Sequence, residues 1–412
     1  LNEGSKYQKY RIIRDHILTF IIQTILKLLS KALNRMHILI APDSFKDCMK
    51  APGVAGALAR GIRRVMPDAD ITLLPMADGG EGTVESVMEA TGGGIIRVMA
   101  MDPLMREIEA FYGIAGDGRT AVIEMAAASG LELLSPEERD PWITSTCGTG
   151  QLIRHALDRG CRNFLLGIGG SATNDGGTGM ARALGIRFRD NQGREVEEGG
   201  GALGRINTIR LEERDPRIPA CRIRVACDVQ NPLTGPEGAS RVYGPQKGAG
   251  PGMVRKLDAN LVHLELLIEK QLGIRIGQLP GAGAAGGLGA GLVAFLGAEL
   301  VKGFDLVSET VQLERAIRKA DLVITGEGKL DAQTRFGKTP WGVAQLARRF
   351  RKDVIGVAGT VDEGAGELLA HGFSAIMPLV EEPMDLAESI RQAPELLERT
   401  GERIARTLLP GS

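Results

Sequence analysis

From Met36 onward this chain alternates between short apolar runs and stretches of helical period. The run His37-Ile-Leu-Ile-Ala41 predicts a strand. Ala51–Met66 predicts a helix, with Pro52 in the first turn, where its missing N–H does no harm. Ile71–Pro75 and Thr83–Ala90 repeat the pair, and such alternation predicts parallel strands joined by helical crossovers. Near Gly92 the rhythm changes. Arg97–Met101, Glu107–Ile114 and Thr120–Met125, separated by Asp102-Pro103 and Gly116-Asp-Gly118, predict short antiparallel strands with turns between them. A helix is expected over Gly148–Arg159 with Thr146 near its cap, buried strands over Asn163–Gly167 and Arg222–Ala226, and a long amphipathic helix over Met253–Leu272. After about residue 305 the first rhythm returns, with strands at Asp321–Thr325, Val354–Val357 and Ala375–Leu379 and a helix at Pro340–Phe350.

The expected fold class is therefore α/β with two domains. A Rossmann-like, doubly wound parallel-sheet domain is built from both chain ends, residues 36–93 and 305–412. An inserted mixed α+β domain, residues 94–304, interrupts it, and a cleft between the two is the expected active site. Residues 1–35 stand apart. Tyr10–Arg35 is basic and amphipathic, but Thr19, Gln23, Thr24 and Lys27 break its apolar run well short of the ~20 residues a membrane span needs. Met36 directly precedes the first clean strand, so the expectation is a mis-assigned start, with surface attachment through a basic helix as the alternative.

Composition narrows the function. The 412 residues include 56 glycines, about double the ~7% of average proteins, and the excess sits at strand ends and helix starts rather than in linkers. A net charge of −1 without a basic tract gives nucleic acid no electrostatic footprint. The five cysteines are odd in number and form no CxxC pair, so they read as reduced thiols in a cytoplasmic protein. Gly-x-Ser-x-Gly is absent, which disfavours a serine hydrolase of that kind.

Four strand-end segments carry the candidate chemistry: Ala41-Pro-Asp-Ser-Phe-Lys46, Ala77-Asp-Gly-Gly-Glu-Gly-Thr83, Ile168-Gly-Gly-Ser-Ala-Thr-Asn-Asp-Gly-Gly-Thr-Gly179 and Thr325-Gly-Glu-Gly-Lys-Leu-Asp331. Glycine there lets backbone N–H groups approach a phosphate, and the hydroxyls and carboxylates suit substrate hydroxyls or a hard cation. Candidate metal carboxylates are Asp43, Asp78, Glu81, Asp175, Asp228, Glu327 and Asp331, more than one site needs. Gly281-Ala-Gly-Ala-Ala-Gly286 matches GxGxxG, but Pro280 ends the segment before it; helix-start phosphate binding and tight packing through small residues both remain open. Gly337-Lys338-Thr339 lacks the rest of a P-loop, though Lys338 precedes a helix start and could meet an anion.

These segments, with Cys227-Asp-Val-Gln-Asn-Pro232 and Gly244-Pro-Gln-Lys-Gly248, form an ordered series that resembles the class I bacterial glycerate kinases from Met36 to about Leu379. The resemblance implies an ATP- and magnesium-dependent kinase that phosphorylates D-glycerate, with 2-phosphoglycerate the more usual product and 3-phosphoglycerate the alternative. It also implies a two-domain fold, one domain Rossmann-like.

Within that reading, Asp78 and Asp175 are expected to hold magnesium or orient the acceptor hydroxyl, with Asp175 accepting its proton. Lys46 and Lys247 would neutralise phosphate or carboxylate. Ser171, Thr173 and Asn174 would cradle phosphate with the amides of Gly169 and Gly170, and Asp43, Ser44, Gly79, Gly80, Gly283, Gly286 and Lys338 complete the expected binding set. Glu327 and Asp331 are further metal or ribose candidates. A nicotinamide-dependent dehydrogenase and a non-enzymatic ligand sensor are the rival classes.

Overall fold

The apolar run after Met36 becomes a central strand because it is suited to burial on both faces: Ile38, Leu39 and Ile40 are all fully buried. The computed structural model describes residues 36–46, 48–331, 334–335, 338–362, 365–380 and 384–409. The expectations for residues 1–35, an amphipathic segment and a start at Met36, lie outside the described residues. In chain order the strands are β1 (His37–Ile40), β2 (Asp70–Leu73), β3 (Gly94–Met101), β4 (Glu107–Ile114), β5 (Thr120–Glu124), β6 (Asn163–Gly167), β7 (Arg187–Arg189), β8 (Thr208–Arg210), β9 (Arg222–Ala226), β10 (Glu299–Val301), β11 (Leu322–Leu330), β12 (Asp353–Val361) and β13 (Ala375–Pro378). Among the described residues no helix is long and apolar enough to cross a membrane.

The chain divides into two compact units. The first takes the described residues up to Leu74 and those from Glu314 onward. Its sheet is entirely parallel, in the order β2-β1-β11-β12-β13. Counted within this unit, that is the 2-1-3-4-5 order of doubly wound folds, which reverses direction between β1 and β11. The helices Ala51–Val65 and Ala393–Leu408 pack on one another, contributing Leu58, Ile62, Leu397 and Ile404 to the core, while Arg60 and Arg64 clasp Glu398 across the seam.

The second unit, Pro75–Leu313, holds a six-stranded mixed sheet in the order β10-β9-β6-β5-β4-β3. β5, β6, β9 and β10 run parallel, and β3 and β4 are antiparallel, as the turn chemistry around Asp102 and Gly116 predicts. The division differs from the expected boundaries at 93 and 305. The helix Thr83–Thr91 resumes the strand–helix rhythm of the first unit, yet it packs on β3, β4 and β5 and so belongs to the second. Gly303–Thr310 likewise packs against β9. Periodicity shows that a helix forms, but not which sheet covers its apolar side.

Candidate active site

In the second unit the loops after the parallel strands gather around β6 and β9. Asp78-Gly79-Gly80, which follows β2 as the chain enters this unit, packs against the ends of both strands. Gly79 has φ +91°, and a Cβ there would fall 2.1 Å from that of Ala226 at the end of β9. Its carbonyl in turn lies 2.1 Å from where Gly167, ending β6, would carry a Cβ. Only glycine permits both the left-handed backbone and this approach. Gly79→Ala is expected to cost about 2 kcal/mol or more and to displace Asp78, read as a lowered denaturant midpoint and weakened turnover.

Asp78 itself is exposed, and its Oδ1 accepts the Gly80 amide at 3.0 Å. Asp228, just past β9, faces the same end: its Oδ1 accepts the Gly303 amide at 3.1 Å, while a Cβ on Gly303 would meet both the Asp78 carbonyl and the Asp228 carboxylate. The Asp228 side chain reaches the surface, yet its crowded surroundings remove enough water to push its pKa up. The Gly303 amide opposes this, the Asp78 charge adds to it, and Lys302 and Asp305 act with opposite signs. Two carboxylates that repel each other, one of them held only by amides, fit the one or two carboxylates with which magnesium is usually bound beside substrate phosphates. Among the described residues no group of three or more His, Cys, Asp or Glu side chains could hold a metal by itself.

The glycine-rich loop after β6 separates into an exposed lip and a buried base. Gly169 and Gly170 are exposed, and Gly169 abuts Gly80. From Ser171 to Thr178 every residue is buried. Asp175 is fully buried and its carboxylate is saturated: Oδ2 accepts the Thr146 amide at 2.9 Å, the Thr146 hydroxyl at 2.8 Å and the Gly179 amide at 3.1 Å, and Oδ1 accepts the Gly177 amide at 3.0 Å. It ties the start of the helix Thr178–Ala183 to the start of Cys147–Asp158. Burial and these four internal hydrogen bonds favour a structural role for Asp175 over the metal-binding or proton-accepting role expected of it. Asn174 is also internal, donating to Ser240 at 3.0 Å.

Lys247 is 1% exposed and, among the described residues, has no carboxylate at ion-pair distance; its Nζ lies 2.7 Å from the Ser171 hydroxyl and 2.6 Å from the Thr173 carbonyl. Burial lowers its pKa to about 7, with Asp175 opposing. Its recorded partners are thus protein oxygens, where the expectation is contact with phosphate or the substrate carboxylate. Among the described residues the Thr173 hydroxyl is buried without a partner.

The GxGxxG segment resolves in favour of packing. Gly281, Gly283 and Gly286 are buried, and a Cβ on Gly286, where φ is +65°, would sit 1.9 Å from the Thr173 carbonyl. Gly283 similarly approaches the Pro232 carbonyl. The Gly283 amide donates to the Asn231 carbonyl at 3.0 Å, which favours packing over the phosphate contact expected of it. A pocket of ≈ 480 Å³ in this unit, lined by Thr120, Asn163 and Arg222 among others, lies at the amino ends of β5, β6 and β9 and includes none of the candidate residues.

In the first unit the candidates cluster at the reversal between β1 and β11, where doubly wound sheets bind their ligands. The Asp43 amide donates to Gly326 at 2.8 Å, the Thr325 hydroxyl donates to Ala41 at 2.8 Å, and Gly328 lies beside the Phe45–Lys46 backbone. The Ser44 amide turns back onto Asp43 Oδ1 at 2.6 Å, and Lys46 is exposed. Glu327 is engaged by Lys338 at 3.1 Å and by the Thr334 hydroxyl at 3.0 Å; burial pushes its pKa up while Lys338 pulls it down. Asp331 lies 3.5 Å from Lys329. Glu327 and Asp331 thus have protein cations beside them and sit in a different unit from Asp78 and Asp175, so the structure does not assemble the four into one metal site within a unit.

The residues that sequence reasoning missed are partners rather than motifs. Thr146 shares Asp175, Lys302 faces Asp228, and buried Glu124 accepts the Val84 amide at 2.7 Å at the start of the helix after the Asp78 loop. Glu124 ends an apolar strand, the one available hint.

A family model described as the glycerate kinase family matches residues 38–409. A glycerate 2-kinase of Escherichia coli K12 is 49% identical over 376 residues, covering 91% of this chain and 99% of the relative. A glycerate kinase of Bacillus subtilis 168 is 49% identical over 373 residues, covering 90% and 98%. A crystal structure from Salmonella typhimurium LT2, described as a candidate glycerate kinase 2, superposes with a TM-score of 0.84 at 50% identity, covering 91% of this chain and 98% of that one.

Proposed function

Because the chain belongs to the glycerate kinase family, we propose that it transfers the γ-phosphoryl group of ATP to the 2-hydroxyl of D-glycerate, releasing ADP and 2-phosphoglycerate. The observation that carries the reading is the strand-end cluster of the second unit, where the open carboxylates of Asp78 and Asp228 stand beside the exposed lip Gly169-Gly170. Phosphoryl transfer depends mainly on positioning and on neutralising charge, which this cluster can do. Asp78 and Asp228 would hold magnesium, which when bound would offset phosphate charge. The amides of Gly169 and Gly170 would receive phosphate oxygens. In the first unit, Ser44 and Lys46 at the sheet reversal would hold a further anionic group of the substrates, with Lys338 and Glu327 as a paired flank. The 2-position is supported by the likeness to the Escherichia coli relative, a glycerate 2-kinase.

Purified protein with ATP, magnesium and D-glycerate is expected to form ADP, and phosphorus NMR of the product to place the phosphate on the 2-oxygen; a 3-phosphorylated product would reverse the regiochemistry. Asp78→Asn is expected to lower turnover by about 10²-fold or more while leaving the melting temperature near that of the parent, since the side chain is exposed. Unchanged turnover would remove Asp78 from the reaction.

A further inference from the structure

A lysine deep inside a protein is usually paired with a carboxylate, because an isolated ammonium in a poorly hydrated interior is costly. Lys247 is not so paired. Its two polar neighbours are a carbonyl, Thr173, and a hydroxyl, Ser171. Asp175 is the charged group that acts on it, but all four hydrogen bonds of that carboxylate go elsewhere. Of the other charged residues nearby, Arg139 packs its backbone on Gly248, and Arg241 is engaged with Asp258 at 3.1 Å. An ammonium here would bury a full charge with no carboxylate among the described residues to neutralise it at contact distance. Nζ donates to Ser171 Oγ at 2.7 Å and to the Thr173 carbonyl at 2.6 Å, and the same separations allow a neutral amine that keeps one N–H on the carbonyl and turns its lone pair to the Ser171 O–H.

Ser171 in turn follows directly on the exposed Gly169-Gly170 lip. Resting on the glycerate kinase reading above, we propose that Ser171 and Lys247 form the proton-accepting pair for the acceptor hydroxyl, a role that its internal hydrogen bonds disfavour for Asp175. The hydroxyl proton of glycerate passes to Ser171 Oγ as the Ser171 proton passes to Lys247 Nζ. The oxygen so freed donates its electron pair to the γ-phosphorus, the bond from that phosphorus to the bridging oxygen breaks, and its electrons leave with ADP. The amine becomes an ammonium and returns its proton to solvent by the same route after product departs. Ser171 is the group that meets substrate; Lys247 is a positioning residue acting through it. Desolvation of the lysine, which favours its neutral form near physiological pH, accords with this geometry.

The test has two independent arms. In the full chain labelled with ¹³C at lysine Cε, the resonance absent from Lys247→Met is expected to titrate with a midpoint near the value of about 7; titration at an ordinary lysine pH would overturn the proposal. In the kinetic arm, Ser171→Ala is expected to lower kcat by about 10²-fold with nucleotide and glycerate affinities unchanged by calorimetry. The acid limb of the wild-type kcat profile should follow the same midpoint and be missing from the residual activity of Lys247→Met. Lys247→Arg, permanently charged, should not rescue it. Full turnover in Ser171→Ala would sink the relay. If wild-type protein makes no ADP with glycerate, the substrate reading falls, while the titration still decides whether the amine is neutral.

Discussion

Replacing Lys247 with methionine is expected to make the protein more stable at neutral pH, by roughly 2–4 kcal/mol, while impairing turnover. The native side chain has a pKa lowered to about 7 against 10.5 for the free group. Between those values the unfolded chain binds the proton and the native chain does not, so wild-type stability rises with pH across that window. Below about pH 7 both states are protonated and the full cost of the buried charge is present; above about 10.5 neither is, and the cost has vanished. The gain from methionine should accordingly be largest at or below pH 7 and shrink as pH approaches 10.5. Denaturant titrations of both proteins across this range measure it. A variant that is less stable at pH 7 would mean that the hydrogen bonds to Ser171 and Thr173 outweigh the desolvation. Methionine fills a similar volume without a polar atom, which makes it the sharper substitution.

Asp175→Ala is expected to have the opposite sign and a comparable size. It strands the amides of Thr146, Gly177 and Gly179 and the Thr146 hydroxyl inside the protein. Each buried unmet donor costs about 1–3 kcal/mol, partly relieved where water enters, so a loss of about 4 kcal/mol or more is expected, with a melting temperature lower by about 10 °C. Asp175→Asn keeps the shape but turns an amide group toward donors, and should recover only part of this. Activity in both should fall in proportion to the folded fraction. A variant that melts like the parent yet has lost turnover would restore the chemical role that the hydrogen bonding disfavours.

The contrast between Asp78 and Asp175 shows what the sequence can reveal. Both are flanked by glycines, and both signal a loop at a strand end. Asp-Gly-Gly-Thr before a helix is, however, equally the pattern of a carboxylate capping that helix, and only the fold shows Thr146 approaching from another element. The central strands of the first unit, β1, β11 and β12, are legible because apolar runs of four or five residues buried on both faces leave few alternatives. β11 was read too short: Gly-Glu-Gly-Lys-Leu has the composition of a loop, yet pairing with β12 as far as Leu330 and Val361 keeps it extended. The β7–β8 pair went unread because three-residue strands carry too little periodicity to register. The meeting of Ser171 with Lys247, distant in the chain, had no local signal at all.

One consequence follows from how the first unit is threaded. β1 takes its neighbour β11 from beyond the whole of Pro75–Leu313, so three of the sheet's five strands cannot join it until the end of the chain has been synthesised. The continuous second unit can meanwhile condense from contacts within its own stretch, and nascent β1 waits with an open hydrogen-bonding edge. Birth on the ribosome therefore imposes an order of events, middle before ends, and a chain stalled before Leu322 would carry a finished centre and a sticky, half-made periphery.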